Sequence, residues 1–173
     1  MPIFIRDARV PDGSQVMKIW KEGLDYHAAL SKSDFALDED APRFWTKSFN
    51  QNLKRKDVKL LVAVKNRAIT GYLLGQAHRR PRYFKTKRCG FIGELAVTKK
   101  ERGKGTGKLL LKAFLDWADQ KGLPYVNLFV DSRNLAGRGF WKKAGFETIM
   151  LEQRKITNCP TLTIPHSEAQ GHL

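Results

Sequence analysis

The chain has 173 residues, of which 42% are hydrophobic and 28% charged, proportions typical of one soluble domain with a core of its own. No apolar run approaches the roughly 18 residues that a membrane-spanning helix needs, which excludes a membrane-spanning protein. With 32 Lys and Arg against 17 Asp and Glu, the net charge of +15 disfavours polycationic substrates such as polyamines, unless acidic residues line the binding pocket.

The sequence favours a location in the cytoplasm. Its N-terminus lacks the basic start and long apolar stretch of a secretory signal. Cys89 and Cys159 are far apart in the sequence and are expected to be reduced thiols, as is usual in the cytosol. Neither the cysteines nor the four histidines have the spacing of metal ligands, so no metal is expected.

The N-terminal third is predicted to contain one strand and two helices. The strand covers residues 3–6, and a helix over residues 16–30 follows, with Asp12 or Ser14 as its N-cap. After a polar break, a second helix is predicted over residues 41–56, where aromatic side chains recur at spacings near four.

The middle of the chain is predicted to be rich in strands. Residues 58–64 and 69–77 have the pattern of a hairpin around a short turn at residues 66–67. Residues 79–88 form a long basic loop, and residues 90–97 form the strand that follows it.

The C-terminal part is predicted to alternate helices and strands. A helix over residues 107–121 ends at Gly122, and a strand over residues 125–130 comes next. A short helix over residues 135–143 and a strand over residues 146–156 complete the predicted elements.

A glycine-dense, basic bend lies just before the helix predicted to begin at residue 107. Gly103, Gly105 and Gly107 lack a Cβ, so the main chain can turn tightly and approach a ligand closely. The helix that follows has free N–H groups and the positive end of its dipole, which together favour a phosphate or pyrophosphate. A Walker A loop and the Gly-x-Gly-x-x-Gly fingerprint are excluded, since Leu109 and Leu110 stand where those motifs need Ser or Thr and a third glycine.

This bend and a second motif downstream resemble the GNAT superfamily of N-acetyltransferases. Arg102-x-x-Gly105-x-Gly107 is similar to the family's Arg/Gln-x-x-Gly-x-Gly/Ala loop, which holds the pyrophosphate of acetyl-CoA. Asn134, with Trp141 seven residues later and a Gly-Phe pair beyond, is similar to a block that follows in GNAT enzymes. The resemblance covers residues 91–147, about a third of the chain.

The resemblance implies an α+β, single-domain GNAT-like fold over residues 1–157, with a mixed, mostly antiparallel sheet flanked by helices. The central strands are expected to splay apart and bind acyl-CoA. Residues 158–173 are expected to form a C-terminal tail, either an edge strand or a disordered end. The implied co-substrate is acetyl-CoA, and the residues expected to contact it are Leu95, Ala96, Val97, Arg102, Gly103, Lys104, Gly105, Thr106, Gly107, Lys108, Asn134 and Trp141.

Glu94 is the candidate general base, because it immediately precedes the strand residues expected to bind the pantetheine arm, where several GNAT enzymes carry an acid. The alternative is a structural ion pair with a nearby Arg or Lys. Trp141 stands where many GNAT enzymes have a Tyr that protonates the leaving thiolate, and an indole N–H cannot deliver a proton near neutral pH. Three explanations are open: the thiolate leaves unassisted or takes a proton from water, Tyr125 or Tyr83 reaches the site, or the protein binds acyl-CoA without fast turnover.

The resemblance therefore implies an N-acetyltransferase that transfers the acetyl group of acetyl-CoA to a primary amine of a small molecule, peptide or protein, by direct attack in a ternary complex. Two other functions stay open: a GNAT-like module that binds acyl-CoA without catalysis, and a nucleic-acid-associated protein. The basic loop from Arg79 to Arg88 is the candidate contact for an anionic partner, or else a solvated turn that keeps the protein soluble. A homodimer is compatible with the sequence, and the acceptor is not defined by it.

Overall fold

The computed structural model describes residues 2–32 and 34–155 of the chain. Short 3₁₀ helices at Val10–Asp12 and Lys99–Glu101 precede two of the α-helices. Of the described helices, none is both long enough and apolar enough to cross a bilayer. The five strands and four α-helices are β1 (Phe4–Asp7), α1 (Gly13–Leu30), α2 (Ala41–Asn52), β2 (Val58–Lys65), β3 (Ala68–Arg79), β4 (Arg88–Val97), α3 (Thr106–Gln120), β5 (Val126–Leu128) and α4 (Leu135–Lys143).

The five strands form one mixed sheet in the order β1-β2-β3-β4-β5. The first three pairs are antiparallel, and β4 pairs with β5 in parallel. Helix α3 packs on one face of the sheet, and α1 and α2 pack on the other. The predicted α+β, single-domain fold with a mixed, mostly antiparallel sheet flanked by helices is confirmed.

Alternate residues of β2 and β3 supply two separate cores. Leu61 and Leu73 pack with Phe114 of α3 on one face, whereas Val62 and Tyr72 pack with α1 and α2 on the other. All five side chains are buried. The alternation explains why these strands read as almost continuously apolar, because both faces of the sheet are covered.

The hairpin of β2 and β3 has the predicted two-residue turn. Asn66 and Arg67 both have positive φ, at 51° and 64°, which is the geometry of a type I′ turn. The turn matches the right-handed twist of its strands and pairs Lys65 with Ala68.

Strands β4 and β5 separate halfway along β4. Their pairing ends at Ile92 and Leu128, although β4 continues to Val97. Gly93 forms a β-bulge, because the register between β3 and β4 shifts by one residue there. The predicted splay of the central strands is therefore present, and it leaves one edge of β4 open beyond Ile92.

The start of α1 differs from the prediction. The helix begins at Gly13, and neither Asp12 nor Ser14 caps it with a side-chain hydrogen bond. Instead, the Asp12 carboxylate accepts hydrogen bonds from the Arg6 guanidinium at 2.6 and 2.9 Å and from the Arg9 main-chain N–H at 2.7 Å. These bonds fix β1 to the start of α1, and the bond from Arg6 is the main cause that lowers the pKa of Asp12.

The predicted bounds of one helix and one strand differ from those in the structure, because of tight turns and of strand pairing. Helix α2 ends at Asn52 rather than at residue 56, because the Lys54 and Arg55 N–H groups donate to carbonyls three residues back and turn the chain towards β2. Strand β5 covers three residues rather than residues 125–130, because β4 diverges from it beyond Leu128.

The strand predicted over residues 146–156 is wrong for the part that the structure describes. Residues 146–155 form no strand, and Ile149, Met150 and Leu151 are between 75% and 79% exposed. Three consecutive apolar residues indicate hydrophobicity, but a strand also requires a neighbouring edge with which its main chain pairs. The predicted tail, residues 158–173, lies outside the described residues.

Candidate functional site

The open edge of β4 presents main-chain groups that no strand pairs. The Thr98 N–H donates to the Thr70 carbonyl of β3, so the main-chain groups of Ala96 also point towards β3, because pairing alternates along an antiparallel ladder. The groups of Leu95 and Val97 therefore point into the gap between β4 and β5. An extended amide-containing ligand in this gap would pair with Leu95 and Val97 rather than with Ala96.

The glycine bend follows directly after β4. Gly103 has φ of 77° and Gly105 has φ of 89°, which is the left-handed region that favours glycine. A Cβ at either position would meet no atom within 4 Å, so the surface of the bend is open to a ligand. Gly107 differs, because it lies inside α3 and a Cβ there would be 3.4 Å from the Phe140 ring.

The first turn of α3 faces this bend. The main-chain N–H groups of Thr106, Gly107 and Lys108 have no acceptor within the helix, as expected for a helix N-terminus. Lys104 and Lys108 add exposed positive charge, and Lys104 lies 3.3 Å from the Glu101 carboxylate. Thr106 is only 1% exposed, and its buried Oγ1 has no hydrogen-bond partner among the described residues.

The Arg102 side chain is held by contacts with other residues of the protein. Its Nε donates to the Val97 carbonyl at 3.1 Å, and its guanidinium lies 3.4 Å from the Glu22 carboxylate of α1. The guanidinium carbon also lies 5.6 Å from the centre of the Tyr26 ring. Because Glu22 further accepts the Lys99 N–H at 2.7 Å, this cluster fixes the start of the bend to α1.

The Glu94 carboxylate lies on the opposite face of the sheet from α3, beside Tyr72. The Tyr72 hydroxyl donates to Glu94 Oε2 at 2.5 Å. Burial raises the pKa of Glu94, and the hydrogen bond from Tyr72 partly opposes this rise. Burial and the neighbouring carboxylate together raise the pKa of Tyr72 well above its usual value, so Tyr72 remains a donor over the working pH range.

A small cavity of about 30 Å³ opens beside Glu94. Its walls come from α1, α2, β2, β3 and β4 and include aromatic and aliphatic side chains, with Trp45 and Phe49 stacked at 5.1 Å between ring centres. Ser48 and Asn52 add polar groups. The volume admits a water molecule or two, so a carboxylate in this cavity can receive a proton directly at the mouth or through water.

Asn134 lies at the N-terminus of α4. Its side-chain Oδ1 accepts the Gly137 N–H at 2.8 Å and therefore caps the helix. The same oxygen also accepts a hydrogen bond from the Tyr26 hydroxyl at 3.3 Å. Tyr26 thus connects α1, the bend and α4 across the mouth of the gap.

Trp141 belongs to an aromatic cluster rather than to a polar one. Its ring centre lies 4.8 Å from that of Phe140 and 5.2 Å from that of Phe146, both in edge-to-face geometry. Tyr83 and Tyr125, the alternative proton donors, lie at the other end of β4 beside Arg80, so the structure does not bring them to Glu94. Within the described residues, no group of His, Cys, Asp and Glu is arranged to hold a metal ion.

Tyr72 and Tyr26 are the site residues that the sequence analysis missed. Tyr26 continues the buried face of α1, seven residues after Ile19, so helical periodicity alone contained the signal. Tyr72 had no such signal, because its approach to Glu94 depends on the register of β3 with β4.

The fold and the site define a class of acyl-transfer enzyme. An open edge of β4 leads to a bend suited to a phosphate-bearing carrier, and the partly buried Glu94 carboxylate of the same strand faces a small cavity. The sequence comparison makes the class specific: the model of the Acetyltransferase (GNAT) family matches residues 24–146. The chain belongs to this family and is an acetyltransferase.

Several solved structures share this fold. A mutant of the BH1408 protein from Bacillus halodurans superposes with a TM-score of 0.81 at 20% identity, over 89% of this chain and 99% of that one. A predicted acetyltransferase with acetyl-CoA from Clostridium acetobutylicum gives 0.72 at 22% identity, over 88% and 96%. An aminoglycoside antibiotic 6'-N-acetyltransferase from Acinetobacter haemolyticus gives 0.68 at 16% identity, over 89% and 99%. None of the curated proteins compared with the chain matches its sequence significantly.

Proposed function

We propose that the protein transfers the acetyl group of acetyl-CoA to a neutral primary amine, by direct attack in a ternary complex with Glu94 as general base. The observation that carries this proposal is the partly buried Glu94 carboxylate. Its pKa is raised by burial, it is held by Tyr72, and it lies on the strand whose next residues border the gap. A base with a raised pKa accepts a proton readily near neutral pH.

The carrier binds across the bend and the gap. The diphosphate accepts hydrogen bonds from the main chain of the bend and of the first turn of α3, where the helix dipole also favours negative charge. The pantetheine arm pairs with the edge groups of Leu95 and Val97. The residues that supply these contacts and the surrounding positive charge are Arg102, Gly103, Lys104, Gly105, Thr106, Gly107 and Lys108.

Asn134 and Trp141 complete the carrier site in different ways. Asn134 keeps the N-terminus of α4 and the Tyr26 hydroxyl at the mouth of the gap. Trp141 contributes an aromatic surface through its cluster with Phe140 and Phe146. Neither side chain supplies an acid, so both act by positioning the carrier.

In the reaction, the amine nitrogen attacks the thioester carbonyl carbon and the carbon–sulfur bond breaks. The amine proton goes to Glu94, directly or through water in the adjacent cavity. The thiolate leaves unassisted or takes its proton from water, because thiols are fairly acidic and Trp141 cannot deliver a proton. The products are the N-acetylated amine and free CoA thiol.

The acceptor is a small-molecule, peptide or protein amine. Aminoglycoside acetyltransferases share the fold, so aminoglycosides belong in the test panel. The net charge of +15 and the single carboxylate of the Glu94 cavity argue for acceptors with few positive charges over polycations. A panel of amino acids, short peptides, polyamines and aminoglycosides, read out as free thiol, ranks these classes.

The substitution Glu94→Gln tests the proposal. We expect kcat to fall by about 10²- to 10⁴-fold, the usual contribution of a general base, with the affinity for acetyl-CoA unchanged in calorimetry. Asp119→Asn, at an exposed position of α3, is the matched control and should behave as the wild-type protein. A normal kcat in Glu94→Gln would remove Glu94 as base. Binding of acetyl-CoA without thiol release for any amine would instead identify a non-catalytic acyl-CoA-binding module.

A further inference from the structure

The loop that joins β3 to β4 is strongly basic and contains no acidic residue. Residues 79–88 contain six cationic side chains and no acidic one: Arg79, Arg80, Arg82, Lys85, Lys87 and Arg88. In the part of the chain that the structure describes, none of the six forms an ion pair, whereas Arg102 pairs with Glu22 and Arg133 pairs with Asp34 and Asp131. The loop thus concentrates like charges that repel one another, and an anionic partner would relieve this repulsion.

The loop also exposes aromatic rings. The Tyr83 side chain is 82% exposed and Phe84 is 39% exposed, with their ring centres 4.7 Å apart. The Arg80 guanidinium lies 4.1 Å from the centre of the Phe84 ring, in cation–π geometry. Main-chain hydrogen bonds from Arg80 to Lys87, at 2.9 Å, and from Phe84 to Pro81, at 3.1 Å, shape the loop. The rings are therefore presented on a folded turn.

We propose that this basic loop binds single-stranded nucleic acid, with the cationic side chains contacting phosphates and Tyr83 stacking on a base. Four of the six cations are arginines, whose planar guanidinium pairs with phosphate in bidentate fashion and stacks on rings. An exposed ring beside phosphate-binding cations is the arrangement that single-strand binding proteins use. A lipid surface fits less well, because residues 79–88 contain no aliphatic side chain for insertion.

The loop is separate from the acetyl-transfer site. Strand β4 runs from Arg88 at the loop to Val97 at the glycine bend, a distance of about 30 Å for ten extended residues. Nucleic acid on the loop would therefore leave the gap and the bend open to acetyl-CoA, and the two ligands would bind independently.

Fluorescence anisotropy of labelled oligonucleotides of about 15 nucleotides, titrated with the full chain, tests the proposal. Oligouridylate and oligothymidylate are both used, and binding of either supports the proposal. The oligonucleotide that binds more tightly identifies RNA or DNA as the preferred ligand. The Tyr83→Ala variant should bind about tenfold more weakly at fixed salt, because base stacking is lost while the charge is kept. Its salt dependence should match that of the wild-type protein.

The charge contribution is measured with two matched variants. Arg82→Gln with Lys85→Gln should reduce the slope of log K against log salt by about 1.4, since each lost phosphate contact contributes about 0.7 for single strands. Arg43→Gln with Lys47→Gln removes the same two charges from exposed positions of α2 and should leave the slope unchanged. Equal weakening by both pairs would overturn the proposal, as would no binding, equal binding of polyglutamate, or preferential binding of phosphatidylserine vesicles.

Discussion

At the scale of single residues, the chemistry depends on how Glu94 is held. Burial raises the pKa of the carboxyl, while the Tyr72 hydroxyl donates to the ionised form and lowers the pKa. The two effects oppose each other, so Tyr72 limits how far burial raises the pKa of the proposed base. Tyr72 is therefore a candidate positioning residue that acts through Glu94.

Substitution of Tyr72 by Phe tests this relation. Without the donor the pKa of Glu94 rises further, so the acidic limb of kcat/KM should move to higher pH. At neutral pH we expect kcat/KM to fall by about tenfold, because loss of the hydrogen bond to the Glu94 carboxylate disfavours its ionisation by about that factor. Most of the activity should be recovered at alkaline pH. The part of the pH profile that reflects ionisation of the amine substrate is the same for the wild-type protein and the variant, and it serves as the internal reference. An unshifted acidic limb would mean that Tyr72 does not act on the base.

Sequence reasoning proposed Glu94 as the general base but did not find its hydrogen-bond partner, Tyr72. Glu94 was found from its place before the edge residues, which is a local pattern. Tyr72 lies diagonally across the strand pair from Glu94, and the Gly93 bulge fixes that relation. A bulge leaves no clear mark in a single sequence, so this contact required the structure.

At the scale of elements, the bend between β4 and α3 is the central part of the proposed carrier site. Its two left-handed glycines turn the chain so that the first turn of α3 faces solvent at the end of the open strand edge. The motif predicted the bend and its position correctly. It did not show that Gly107 packs against Phe140, because that contact joins two helices distant in sequence.

Two alanine substitutions separate the role of the bend from simple backbone strain. Gly105 and Gly122 both have positive φ, at 89° and 64°, and a Cβ at either would meet no neighbouring atom. Each change to Ala should lower the free energy of unfolding by about 1 kcal/mol. Only Gly105→Ala should weaken acetyl-CoA binding, by about tenfold in calorimetry, because its methyl group occupies the diphosphate surface. Equal affinities in the two variants would count against the bend as the carrier site.

The C-terminal elements show where pattern reasoning fails. The helix over residues 135–143 was predicted correctly, since Asn134 caps it and its apolar face packs on the core. The strand over residues 146–156 was not, because its apolar side chains gave no information about a pairing partner. Helices are defined by local bonds, whereas strands depend on distant neighbours.

At the scale of the whole molecule, β4 connects two surfaces of different chemistry. One end carries the basic loop with its exposed rings, and the other carries the gap, the bend and Glu94. The net charge of +15 was visible in composition, but only the structure separates cations that are paired near the bend from those that are unpaired on the loop. Both surfaces carry positive charge, so the binding position of acetyl-CoA is the central question.

Hydrogen exchange of the full chain, with and without saturating acetyl-CoA, answers that question most directly. We expect slower exchange for the main-chain amides of Leu95, Val97 and residues 103–108, and unchanged exchange for residues 79–88. Saturation without protection at the strand edge and the bend, or protection confined to the basic loop, would contradict this expectation.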